Sequence, residues 1–196
     1  MSVNPASLRR AVLLVAIANL AYFFIEGFVA LHIGSVSLLA DSADFFEDAA
    51  VNILIFFAVV WTAQSRARVG KVLALILLLP AAAFLWTATQ KLMLPVAPEA
   101  FALTMTGMGA LVVNLSCASI LATYRNTSGS LTKAAFLSSR NDAIANVGIV
   151  AAGLVTAFVW QSAWPDLIVG CAIAWLNIDA AKEIWEAARS EGEHAA

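Results

Sequence analysis

Charged side chains are scarce in this chain: they make up 12% of its 196 residues, while 62% are hydrophobic. A typical soluble domain carries about 25% charged and about 45–50% apolar residues. Mean hydropathy is +0.86. A soluble domain of this length has no interior large enough to hide so many apolar side chains, and the soluble globular classes are excluded. A basic excess is also missing, since 11 Lys and Arg face 13 Asp and Glu for a net charge of −2. That removes the electrostatic grip on phosphates that nucleic-acid binding needs.

Histidine and cysteine number two each. Cys117 and Cys171 both fall in apolar runs and read as small buried hydrophobes, so neither a disulfide framework nor a thiolate metal site is expected. His32 and His194 lie at or beyond the ends of the apolar runs. No Ser–His nucleophile and base can then meet inside a bilayer, and the chain is not expected to be an enzyme.

What the sequence has in abundance is lipid-compatible length. Apolar stretches cover about 11–32, 35–62, 71–93, 99–123, 134–160 and 165–187, separated by short polar breaks. A bilayer-spanning helix needs about 20 mostly apolar residues. The expectation is therefore one all-α transmembrane domain of six spans over 1–196, with no soluble domain. Arg9 and Arg10 precede the first run, which is too long for a signal peptide and lacks a small-residue cleavage site. In a six-span arrangement Arg9, Arg10, Arg66, Arg68, Lys71, Arg125, Lys133, Lys182 and Arg189 fall on one side, and Lys91 falls in a loop on the other. The positive-inside rule then places both termini in the cytoplasm of a multi-pass inner (plasma) membrane protein.

Against this apolar background the acids stand out. Glu26, Asp41, Asp44, Glu47, Asp48, Asp142 and Asp179 fall inside the expected spans, and four of them crowd into Asp41–Asp48. Each charge at a helix centre costs about 2.5–3.5 kcal/mol on insertion scales, so four deep ionised acids would cost about 10 kcal/mol. Asp41, Asp44, Asp48 and Asn52 recur at helical spacing, with Glu47 at the edge of the same face. One helix thus presents a carboxylate stripe to the bundle interior.

On the fifth span Ser138, Asn141 and Asp142 share a face, while Arg140 points to nearly the opposite side and is a candidate partner for Asp41 or Glu47. Two such faces can meet. Asp44 and Asp48 opposite Ser138 and Asp142 would place four oxygen-bearing side chains about one point, which is how helical bundles build metal sites. Carboxylate oxygens suit hard or borderline divalent cations. Crowded carboxyls hold protons when metal is absent, and metal needs them ionised, so binding expels protons. A site that takes either protons or a cation, and opens alternately to each side, is an antiporter in outline. Ser138 serves equally well as a ligand or as a hydroxyl bonded back to its own helix. Asp41, Glu47 and Asn141 are candidates for a secondary metal contact or proton path. A membrane substrate-binding subunit of a multicomponent uptake system is the alternative reading.

Around these residues the sequence resembles the cation diffusion facilitator family of divalent-metal/proton antiporters. The stretch Gly34–Asp48 is similar to the family's second helix, where His or Asp and a second Asp four residues on bind metal; here these are Asp44 and Asp48. The fifth-helix pattern falls on Ser138 and Asp142, with serine where the family has His or Asp. Further matches are Asn19 and Glu26 in the first helix, Asn114 in the fourth, and Trp164-Pro165-Asp166 opening the sixth. The resemblance implies the family's six-helix transmembrane domain, divalent-metal efflux by proton antiport, and a homodimer. Metal is the transported substrate, with no prosthetic group. Three carboxylates and a hydroxyl without histidine tilt the cargo toward manganese, iron, cobalt or cadmium, while zinc dominates the family and also binds carboxylates. Tyr124–Lys133 lacks the family's His-rich loop, and the chain is expected to be a short, membrane-only member without a cytoplasmic C-terminal domain.

Overall fold

A computed structural model describes residues 5–57, 82–124 and 130–176. Among the described residues there are six helical segments and no strand. They are α1 (Pro5–Ile33), α2 (Val36–Phe57), α3 (82–93), α4 (Ala100–Ala122), α5 (Ser130–Phe158) and α6 (Trp164–Leu176). The expected stretches at 58–62, 71–81 and 177–187 lie outside the described residues, as do Arg66, Arg68, Lys71, Arg125, Asp179, Lys182 and Arg189. α1 reaches back to Pro5, ahead of the apolar run, because proline is tolerated in the first turn, where its missing N–H has no helical partner to lose.

Three of the described helices, Ala6–Ile33, Ala100–Ala122 and Ala135–Phe158, are long and apolar enough to cross a bilayer by composition. α2 carries four acids and is held by what it packs against. α1 lies along α2 and α4 along α5, and α1–α4 and α2–α5 contacts join the two hairpins. Two apolar clusters close the bundle at different heights. Val12, Val15, Cys117, Leu121 and Ala135 fill the N-terminal end. Ala30, Leu38, Leu39, Leu103, Ile149 and Ile173 fill the end nearer Gly34. Asn19, Glu26, Asp41, Asp48 and Asn114 are buried between them.

The turn between α1 and α2 shows why α2 starts where it does. Gly34 takes φ +64, a left-handed conformation that costs glycine nothing, and Ser35 N–H returns to the Ala30 carbonyl at 2.9 Å. Ser35 Oγ then accepts from Leu38 N at 3.2 Å as the helix N-cap. The next two orphan donors are met from α6: Val36 N donates to Asp166 Oδ2 at 2.9 Å and Ser37 N to Oδ1 at 3.1 Å. Lys91, expected in a loop, is instead buried at the end of α3 and forms an ion pair with Asp166 at 3.0 Å. The Asp166 carboxylate, buried at the N-terminus of α2, offers the ammonium a partner inside the bundle.

Candidate metal site

α2 and α5 bring their polar faces together about one cavity of about 410 Å³. Asp44 and Glu47 line it from α2, Ser138, Asn141 and Asp142 from α5. Its apolar wall comes from Ile144 and Ala145 of α5 and from Ile173 and Leu176 of α6. Asp44 is two turns into α2, about 12 Å along the helix from Val36 at 1.5 Å per residue. The cavity therefore sits at mid-depth in the bundle.

Asp48 stands beside this cavity between the same two helices. Its Oδ2 accepts from Ser139 Oγ at 2.9 Å, and its carbonyl accepts from Asn52 Nδ2 at 2.8 Å. Ser138, on the cavity wall, neighbours both Asp48 of α2 and Asp142 of its own helix. Among the described residues no three His, Cys, Asp or Glu groups are drawn tightly enough together to hold an ion as they stand. The oxygens are arrayed on the walls of a space that an ion can enter.

Asp41 is placed apart. It adjoins Glu26 of α1, both are fully buried, and among the described residues no N–H or hydroxyl donor reaches an oxygen of either. Glu47 and Asn141 are on the cavity wall. Arg140 is exposed and its Nη2 donates to Asn141 Oδ1 at 3.1 Å. The expected pairing of Arg140 with Asp41 or Glu47 is not formed, because its guanidinium is held by Asn141 at the exposed side of α5.

Sequence reasoning missed Ser139, which is fully buried against Asp48. Its signal was available in the spacing of Ser139, Asp142 and Asn146, one helical stripe next to the one built on Ser138. Ser139→Ala removes the donor that orients Asp48, and supporting bonds of this kind are worth about 10–100-fold in metal affinity. In a site where Asp48 is a ligand, the expected result is metal binding weakened by about tenfold at unchanged stoichiometry; an affinity equal to the wild type would show that the Ser139 bond does not orient a metal ligand.

Acids on two facing helices about a cavity inside the helix bundle suit a cation pathway. The cation efflux transmembrane domain family matches residues 12–190, from the first turns of α1 past the last described residue of α6. The chain belongs to the cation efflux family. Among individually curated proteins, none matches it. As a cation efflux protein it is a membrane transporter of divalent metal cations, and the metal is its cargo.

Proposed function

We propose that this cation efflux protein exports a divalent transition-metal ion in exchange for protons by alternating access. Asp44, Asp48 and Asp142 are the ligands, with Ser138 as a weak or water-mediated fourth. The observation that carries this reading is the cavity in which α2 offers Asp44 and α5 offers Ser138 and Asp142. Three carboxylates facing one small volume repel one another unless protons or a cation lie between them. A dication neutralises that repulsion, draws the walls inward and displaces the protons. Glu47 and Asn141, on the same walls, and Asp41 beside Glu26 supply secondary contacts along the ion and proton path.

The donor set is all oxygen. It suits manganese, iron(II), cobalt and cadmium, and it accepts zinc at carboxylate distances. The N-terminal end, with Arg9, Arg10 and Lys133, faces the cytoplasm of the inner (plasma) membrane, and the Gly34 end faces out. The protein acts as a homodimer held through its membrane helices.

The test is proton flux in sealed proteoliposomes with an internal pH dye, challenged in turn with zinc, cadmium, manganese, iron(II), cobalt and magnesium. One or more transition metals should drive protons the opposite way. No proton movement with any of them would overturn antiport and favour the uptake-subunit reading. Ser138→His adds an imidazole nitrogen, which zinc prefers. The zinc-to-manganese rate ratio should rise by about tenfold, equivalent to about 1.4 kcal/mol of selectivity. An unchanged ratio would place Ser138 outside the metal's ligand sphere.

A further inference from the structure

Asp166 collects five polar contacts at the Gly34 end of the bundle. Its carboxylate accepts from Ser35 Oγ at 2.7 Å, Ser37 Oγ at 2.6 Å, the main-chain N–H groups of Val36 and Ser37, and Lys91 Nζ at 3.0 Å. Lys91 also donates to the Gly34 carbonyl. Asp166 is fully buried and Lys91 is 6% exposed. Three helices meet in this knot: α2 through its first turn, α3 through Lys91 and α6 through Asp166. No group in it belongs to the candidate metal site.

Its position is the informative part. On one side lies a shallow cleft of about 200 Å³ at the surface of the Gly34 end, with Gly34, Gln90 and Lys91 in its lining. On the other side, past the apolar cluster of Leu38, Leu39 and Ile149, lies the metal-facing cavity. α6 closes on α2 so tightly here that a Cβ on Gly170 would meet main-chain atoms of Val36 and Ser37 at 2.8 Å. The knot therefore stands between two clefts that a transported ion would have to join.

We propose that the Lys91–Asp166 knot is the closed gate of the Gly34 face. A buried ion pair is stable when every member is satisfied and strongly unfavourable when one partner is removed, so such a network has closed and open states with little between them. Release of Lys91 into the cleft beside it unties α3 from the Gly34 carbonyl and from Asp166, leaves the Asp166 carboxylate buried without its cation, and so loosens the contacts that close α6 on α2 and opens the cavity to the Gly34 face. The inference rests on the alternating-access reading and deepens it by naming the residues that hold one side shut.

The experiment reads access and needs no metal. In full-length protein with Cys117 and Cys171 replaced by alanine, Ala145→Cys places a thiol on the cavity wall, and a membrane-impermeant maleimide is applied to intact cells and to inside-out vesicles. Val96→Cys, exposed at the Gly34 end, identifies the preparation in which that face meets the reagent. With Lys91 intact, Ala145→Cys should label from the opposite face. Adding Lys91→Met should raise labelling from the Gly34 face by about tenfold or more, while Lys91→Arg, which keeps the ion pair, should not. Labelling from the Gly34 face with Lys91 present, or no rise with Lys91→Met, would overturn the gate. Should Lys91→Met fail to fold, Ser37→Ala removes one donor from Asp166 and is read the same way. Absent metal-driven proton flux in the wild type would count against the transport reading and leave the labelling result to judge the gate.

Discussion

Asp48→Ala and Asp142→Ala should each lower metal-driven proton flux by at least about a hundredfold, since even residues that merely support a metal ligand are worth about 10–100-fold. The companion expectation runs the other way. Each variant should insert and purify at least as well as the wild type without metal, because a buried acid carries an insertion cost of about 2.5–3.5 kcal/mol. Asp142→Ala also relieves the crowding at a cavity that holds Asp44 and Glu47. Asp48→Ala leaves Ser139 Oγ without its acceptor, a loss of about 1 kcal/mol that offsets part of the gain. This pairing of lost transport with retained stability separates a binding site from interhelical glue. Acids that merely tie α2 to α5 would lower the thermal midpoint in detergent when removed; flux equal to the wild type would remove Asp48 or Asp142 from the site.

Gly170→Ala should be among the most destabilising single changes in the described part of the chain. The added methyl meets the Val36 carbonyl carbon and the Ser37 nitrogen at 2.8 Å, and these are main-chain atoms that no rotamer change can move. α6 must retreat from α2, which pulls Asp166 off the N–H groups of Val36 and Ser37. Overpacking of this kind costs about 1–3 kcal/mol, and the loosened buried network adds to it, so a loss of about 3 kcal/mol or more is expected. Gly148→Ala is the control, because its Cβ would sit 3.6 Å from a Val169 methyl in ordinary contact. A thermal midpoint that falls steeply in the first and holds or rises in the second is the expected pair. Equal midpoints would mean that α6 does not approach α2 this closely.

Much of the helical order was legible because lipid enforces it: long apolar runs leave few alternatives to spanning helices. α2 was legible for a different reason. Its acids stand inside an otherwise apolar stretch, and the spacing of Asp41, Asp44 and Asp48 marked the face that turns inward. The same periodicity read on two helices places Asp44, Ser138 and Asp142 on one cavity, while Asp48, expected at the same point, stands beside it and is held by Ser139. Long-range pairings were not legible. Lys91 and Asp166 are 75 residues apart, and nothing in the local pattern of either says that they meet. Lys91 read as a loop charge because a lone lysine between spans usually is one. Asp41 read as part of the stripe, yet packing turns it toward Glu26 of α1, since a helix face wide enough for several acids touches more than one neighbour.

The most direct measurement is a calorimetric titration of the purified protein with a metal that drives flux, repeated in two buffers of different ionisation enthalpy. The heat gives the metal bound per chain, and the difference between buffers gives the protons released. A site built from Asp44, Asp48, Asp142 and Ser138 predicts a single ion bound per chain with release of protons, and loss of both in the Asp44→Ala, Asp142→Ala double variant. Binding that persists in the double variant with the same proton release would contradict it and move the metal to another part of the bundle.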